Sequence, residues 1–235
     1  MLMETAHPKT RLGSGTRTAG VAIAAATIIS TIFVALDRSG GGSTPAEILA
    51  GIAGLTALKE VVHGVAIASV CAYAFGYASL ARRLGLHRPQ VLAGLAVYLI
   101  GCVAMVAATL LDGFITPHIA VDAMGAAPER VQFAYDLVHY LGVMLNDFAK
   151  LGWTLQAVGA LAWSLLLMRE KGFDRAIGMI GVLSSVLVGV AVLASATNMS
   201  MASLLGVLLA QLIWNLAAAA FLFRSQAASM AAHSA

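Results

Sequence analysis

The sequence predicts an all-α integral membrane protein, a helical bundle with about six transmembrane helices and a helical cap on one side. Three observations predict it. Of the 235 residues, 60% are hydrophobic and only 11% are charged, against roughly a quarter charged in an ordinary soluble domain. The apolar residues gather in stretches of about twenty, the length a helix needs to cross a hydrocarbon core of about 30 Å at 1.5 Å per residue. Short connectors carrying basic residues separate most of those stretches.

The first stretch, 18–36, follows a tail of residues 1–17 that carries Lys9, Arg11 and Arg17. A cleaved signal peptide has an apolar region of about 7 to 15 residues and a small-x-small exit. This run is longer and leaves through Val34-Ala35-Leu36-Asp37, so it reads as a retained first helix. Further spans at 58–80, 90–111, 145–168, 176–196 and 200–223 complete a single membrane domain over residues 18–224, and residues 225–235 form a second tail.

Two connections are too long to be plain turns. In 37–57, Ser39-Gly40-Gly41-Gly42-Ser43 has the composition of a flexible linker. Thr44-Pro45-Ala46-Glu47 then combines an N-cap hydroxyl, a proline at the first helical position and a carboxylate at the third, so a helix starts at Pro45. Running unbroken to Arg83 it would measure about 58 Å, which demands a bend near Gly51 or Gly54. The second connection, 112–144, holds Pro117 and a helix start at Pro128 that leads into the fourth span. Together the two connections make the predicted cap. Within the second span, Gly64, Ala68, Ala72 and Gly76 recur every four residues, a stripe that suits close helix packing.

Lys9, Arg11, Arg17, Arg82, Arg83, Arg88, Arg169, Lys171, Arg175 and Arg224 share one side of this layout. Only Arg38, Lys59, Arg130 and Lys150 fall on the other, which carries most of the acidic residues. The asymmetry places both termini in the cytoplasm of a bacterial inner membrane, with the acidic side periplasmic. Net charge is only +3 and the basic residues cap helix ends, so no nucleic-acid footprint exists. The expected partners are the lipid bilayer and a small or lipid-soluble substrate. Lipid-facing and subunit-facing surfaces look alike in such a composition, so a homo-oligomer stays open. Cys71 and Cys102 fall near the middles of spans without CxxC spacing and read as small buried apolar residues.

Ionisable groups at membrane depth cost roughly 2.5 to 3.5 kcal/mol each on insertion scales, and here they cluster at one level. Glu60 and His63 stand at the outer boundary of the second span, Asp112 at that of the third, and Asp147 and Lys150 at that of the fourth. Glu60-x-x-His63 and Asp136-x-x-His139 repeat one spacing on two helices, and such pairs on facing helices build metal sites in bundles. The candidate ligands are therefore Glu60, His63, Asp112, His118, Asp136 and His139, with Asp147, Lys150 and Asn198 completing a polar pocket. Imidazole and carboxylate suit a divalent transition metal such as Zn or Fe. Haem on His63 with His118 or His139 is a weaker alternative, since no CxxCH motif is present. Met199 and Met201 hint only faintly at copper.

Three functional readings compete. The leading one is a periplasm-facing metal-binding protein, with a membrane-embedded metalloenzyme as one form it can take and its status as an enzyme open. A proton-coupled small-solute transporter would use Lys59, Glu60, Asp112, Asp147 and Lys150 as compensating charges along a path. A non-catalytic accessory subunit would carry them as helix-end caps. Asn198 reads as a member of the outer cluster, whereas Gln211 and Asn215, four apart on the sixth span, read as interhelical hydrogen-bonding groups. No nucleophile elbow, Walker loop, dinucleotide fingerprint or His-Glu-x-x-His motif appears.

Overall fold

A computed structural model describes residues 12–37, 40–195 and 200–234, which are helical without a single strand among them. Helix α1 spans Leu12–Leu36, α2 Pro45–Ala53, α3 Thr56–Leu84 and α4 Pro89–Leu110. A π-helical turn, Leu111–Ile115, joins α4 directly to α5, Thr116–Asp122; α6 (Pro128–Leu167), α7 (Phe173–Leu193) and α8 (Met201–Ser234) follow. Five stretches are long and apolar enough to cross a membrane: Gly15–Leu36, Thr56–Leu84, Pro89–Asp122, Phe173–Leu193 and Ala202–Arg224.

The predicted fourth span lies inside α6 and is not among the five. Lys150, Thr154 and Gln156 dilute the second half of α6, and Asp136, His139 and Asp147 its first. Packing nonetheless gives α6 a place equal to the others. Helix α1 packs against α3, α3 against α4, α4 against α6, α6 against α7, α7 against α8, and α8 against α1. The six long helices thus close into a ring.

The tightest seam of that ring is α4 on α6, where glycines interlock at a spacing of seven. A Cβ on Gly159 would stand 2.7 Å from the carbonyl oxygen of Gly94, and one on Gly101 would stand 2.8 Å from that of Gly152. In lipid no hydrophobic effect drives helices together, so close backbone approach and dispersion must supply the association. The α3 stripe expected to do this contributes only its far end: a Cβ at Gly76 would strike Ile23 of α1, while Gly64 faces open space and Ala68 is exposed.

The centre of the ring is filled by aromatic rings. Tyr77 lies 4.4 Å from Tyr98 and stacks on Trp163 at 5.5 Å and on Trp214 at 6.3 Å, centroid to centroid. Two of their polar tips are satisfied across helices, as buried hydroxyl and indole groups generally are. The Tyr77 hydroxyl donates to Asn215 Oδ1 at 2.6 Å, and Trp163 Nε1 donates to the Val91 carbonyl at 3.2 Å. Asn215 is the interhelical group its sequence position suggested. Cys102 is buried and accepts from Gln156, but Cys71 is exposed on the bundle surface, contrary to expectation.

Two ends of the bundle differ in chemistry. At the basic end Arg83 donates to the Phe221 carbonyl and lies over the Phe221 ring at 3.7 Å, and Arg224 lies over Phe173 at 4.5 Å. Beyond the acidic end, α2, α5 and the start of α6 enclose a second small core of Leu49, Ile52, Ala120, Ala123 and Ala134. Helix α2 begins at Pro45 with the capping box, and the chain breaks at Gly54 before α3, as the length limit demanded. The glycine run is not loose. Gly40 and Gly42 lie flat on α2, where a Cβ would come within 2.7 Å of Ile52 N and 2.6 Å of Ile48 N respectively.

Two predictions follow from this packing. Gly159→Ala should lower the thermal midpoint through overpacking that costs about 1 to 3 kcal/mol. Gly189→Ala on α7, whose new methyl would meet nothing within 4 Å, should be neutral or stabilising by up to about 1 kcal/mol. Thermal unfolding in micelles checks both, and equal behaviour would reject the interlock. At α2, Glu47 Oε2 accepts from Ser43 N at 2.8 Å, Ser43 Oγ at 2.7 Å and Thr44 N at 3.3 Å. These donors, led by the Ser43 hydroxyl, hold its carboxyl below the usual range. Because the folded value is the lower one, this stabilisation is present above the unfolded carboxyl's pKa and is lost as pH falls through the folded one. Hydrogen exchange across 40–53, corrected for intrinsic rates, should show α2 fraying in acid, and Glu47→Gln should remove that pH dependence.

Candidate functional site

At the acidic end, three elements converge on one buried cation. Lys59, in the first turn of α3, is only 6% exposed. Its ammonium bonds Asp112 Oδ1 at 2.8 Å and lies 3.8 Å from Asp37 Oδ1, just past the end of α1. Burying an ammonium is tolerable only with such counter-charges in place. One turn along, His63, 8% exposed, sets Nε2 at 3.0 Å from the second oxygen of the same carboxylate, Asp112 Oδ2.

The backbone around Asp112 is shaped for this contact. Asp112 and Gly113 lie in the π-helical turn, a one-residue widening of a helix that recurs at functional sites. Pro117 follows, with no N–H to offer the carbonyl of Gly113 four residues back and a ring that crowds it, so the regular ladder cannot pass through unchanged. Gly113 is pressed against His63, and any Cβ there would strike the imidazole. The turn and the missing side chain let the carboxylate and the ring meet.

Hydrogen-bond chemistry then dictates where a proton sits. His63 Nδ1 lies 2.8 Å from the Lys59 carbonyl. A carbonyl only accepts, so Nδ1 carries hydrogen. That leaves Nε2 facing a carboxylate, and an ionised carboxylate also only accepts. The two contacts are hydrogen bonds at the same time only with an additional proton, either on Nε2, making an imidazolium paired with Asp112, or on Asp112 itself.

A second pair repeats the pattern nearer the surface. His118 Nδ1 donates to the Phe114 carbonyl at 2.6 Å, and its Nε2 lies 3.7 Å from Glu60 Oε1 on α3. Both partners of this pair are open to solvent, His118 at 64% and Glu60 at 39% side-chain exposure.

The structure thus gathers some of the expected residues and leaves others apart. Among the described residues, the one group of three acidic, histidine or cysteine side chains with converging ligand atoms is Asp37, His63 and Asp112, whose atoms lie within 4.8 Å of one another. Glu60 and His118 pair beside it. Asp136 accepts from Gln132 on its own helix, and His139 lies edge-on to Tyr140, both exposed on α6. The repeated carboxylate-x-x-His spacing does not bring Asp136 and His139 into that three-ligand group. Asp147 is exposed, and Lys150 donates to the Ser195 carbonyl at 2.7 Å; Asn198 lies outside the described residues. Asp37 is the member that sequence reasoning missed, and Lys59 sits at the centre of the site.

The chain matches no family model, no curated protein and no solved structure. Fold and site together define a multi-pass helical membrane protein with a Lys–Asp–His–Asp cluster, its lysine and histidine buried, at one end of its bundle.

Asp112→Asn should be among the most damaging substitutions at this end, by about 3 to 5 kcal/mol, because it leaves the buried ammonium short of its nearest counter-charge. Lys59→Met combined with Asp112→Asn should recover a large part of the loss. Thermal unfolding of the double-mutant cycle checks this, and strictly additive effects would mean that the two groups do not depend on each other.

Proposed function

We propose that this protein crosses a bacterial inner membrane six times, with α6 as the sixth crossing, both termini cytoplasmic, and the α2–α5–α6 assembly as a periplasmic cap. The closed ring supports the sixth crossing, and the gathering of arginines and lysines at the end opposite Asp37 supports the orientation. Within this frame we assign the working centre to Lys59, His63, Asp112 and Asp37. It is an acid–base site loaded from the periplasm, and the activity is proton-linked handling of a small solute.

The observation that carries this reading is the His63–Asp112 contact, whose donors and acceptors balance only with one extra proton. With that proton the cluster is electrically neutral, two carboxylates against an ammonium and an imidazolium. Gaining or losing it changes the charge by one unit in a place where charge is expensive. Such a change can bias a membrane protein between two states. Toward the basic end the Tyr77, Tyr98, Trp163 and Trp214 rings fill the bundle, so loading from the cap side is the geometry this conformation supports.

Nitrogen-15 spectra of histidine-labelled protein in lipid nanodiscs, with carboxyl vibrations measured on the same sample, test the assignment. One histidine with both nitrogens protonated, or a protonated buried carboxyl, is expected, and either signature should vanish in Asp112→Ala. A bare Nε2 on His63 beside an ionised Asp112 would overturn it.

The convergence of Asp37, His63 and Asp112 favours a second reading, a divalent transition metal such as Zn or Fe in place of the proton. A metal would need Nε2 deprotonated and the Lys59 ammonium displaced. Metal analysis of purified wild type, His63→Ala and Lys59→Met separates the two readings. On the metal reading Lys59→Met binds more tightly and His63→Ala is empty; on the proton reading all three stay empty after metal supplementation.

A further inference from the structure

Away from that site, α6, α7 and α8 border a small, partly open cleft lined by Ala157 and Ala160, by Ser184, Ser185 and Val188, and by Gln211 and Trp214. Two buried polar atoms that find no protein partner, Ser185 Oγ and Trp214 Nε1, belong to residues lining this one cleft. Ser185 is 8% exposed and Trp214 2%. The indole ring cannot easily turn away to find another partner. The Trp214 ring is stacked on Tyr77 at an interplanar angle of 16° and lies flat against α7 at Gly181, where a Cβ would come within 2.8 Å of its Cε3. The contrast with Trp163, whose indole N–H reaches the Val91 carbonyl, is direct.

We infer that this cleft is a binding site for a single water molecule that joins α7 to α8. The space holds one water and no more, at the lower limit for hydration, and a polar void of that size with several partners is the kind that water fills. Trp214 Nε1 donates to the water oxygen, and the two water protons serve Ser185 Oγ and the Gln211 side chain. Indole N–H groups only donate, while hydroxyl and side-chain amide oxygens accept, so each of the three contacts joins a donor to an acceptor. An apolar void of equal size would stay dry.

The test uses the full chain in nanodiscs, labelled with nitrogen-15 tryptophan. Trp153→Phe and Trp163→Phe assign the Trp214 indole by elimination. In the wild type the indole proton should show a direct cross-relaxation peak to water together with exchange slowed at least tenfold relative to an exposed indole. Ser185→Val, which fills the cleft with methyl groups, should erase the water peak and leave the indole signal shifted but present. If that variant does not fold, Ala157→Val fills the same cleft from α6. Absence of the water peak in the wild type overturns the inference, and so does a peak that survives in a folded cleft-filling variant.

Discussion

A lysine ammonium held at 6% exposure is the constraint around which the acidic end of this protein is built. Such a charge is stable away from water only if opposite charge is brought to it and held. The carboxylate that does so, Asp112, comes from a different helix, 53 residues further along the chain. Its approach depends on a helical turn widened by one residue and on a glycine where any side chain would collide with His63. Asp37 at the end of α1 adds the second negative charge. Three helix ends are thereby tied at one point, and the proton proposed between His63 and Asp112 follows from how the remaining lone pairs are used.

The rest of the ring is held by close approach and internal hydrogen bonds rather than by exclusion from water. Glycines at a spacing of seven on both α4 and α6 bring two backbones into contact, and the volume this gives up is recovered at the centre by four large rings. Side-chain amides and hydroxyls of neighbouring helices then satisfy each other, as Tyr77 and Asn215 do. A group left over in such a setting has no lipid partner to turn to, which is why the unpaired Ser185 and Trp214 around a water-sized cleft carry information.

Local signals were the legible ones. The capping box at Thr44 to Glu47, the helix starts at Pro45 and Pro128 and the break at Gly54 each depend on residues within one or two turns, and all appear in the structure. The site was legible only in part. Glu60, His63, Asp112 and His118 were singled out by depth and charge, but Asp136 and His139, which share the same i, i+3 spacing, stay on the surface of α6. Spacing shows that two side chains share a face of their own helix and is silent about what that face meets. The glycine run before α2 was misread for a similar reason, since a chain of glycines suits a free linker and a tight contact equally well.

By itself, then, the sequence determined the class of the protein, because length, apolarity and charge placement are one-dimensional properties and the bilayer imposes a one-dimensional rule on them. It also determined the helix starts, since caps are local. Which helices touch, that α4 and α6 interlock through glycines, that Asp37 joins Lys59 and Asp112, and that the His63 ring meets the Asp112 carboxylate were decided only by tertiary structure. These depend on the rotation of each helix about its axis and on distances between residues far apart in the chain. Periodicity gives each helix its faces, but only packing chooses which of them meet.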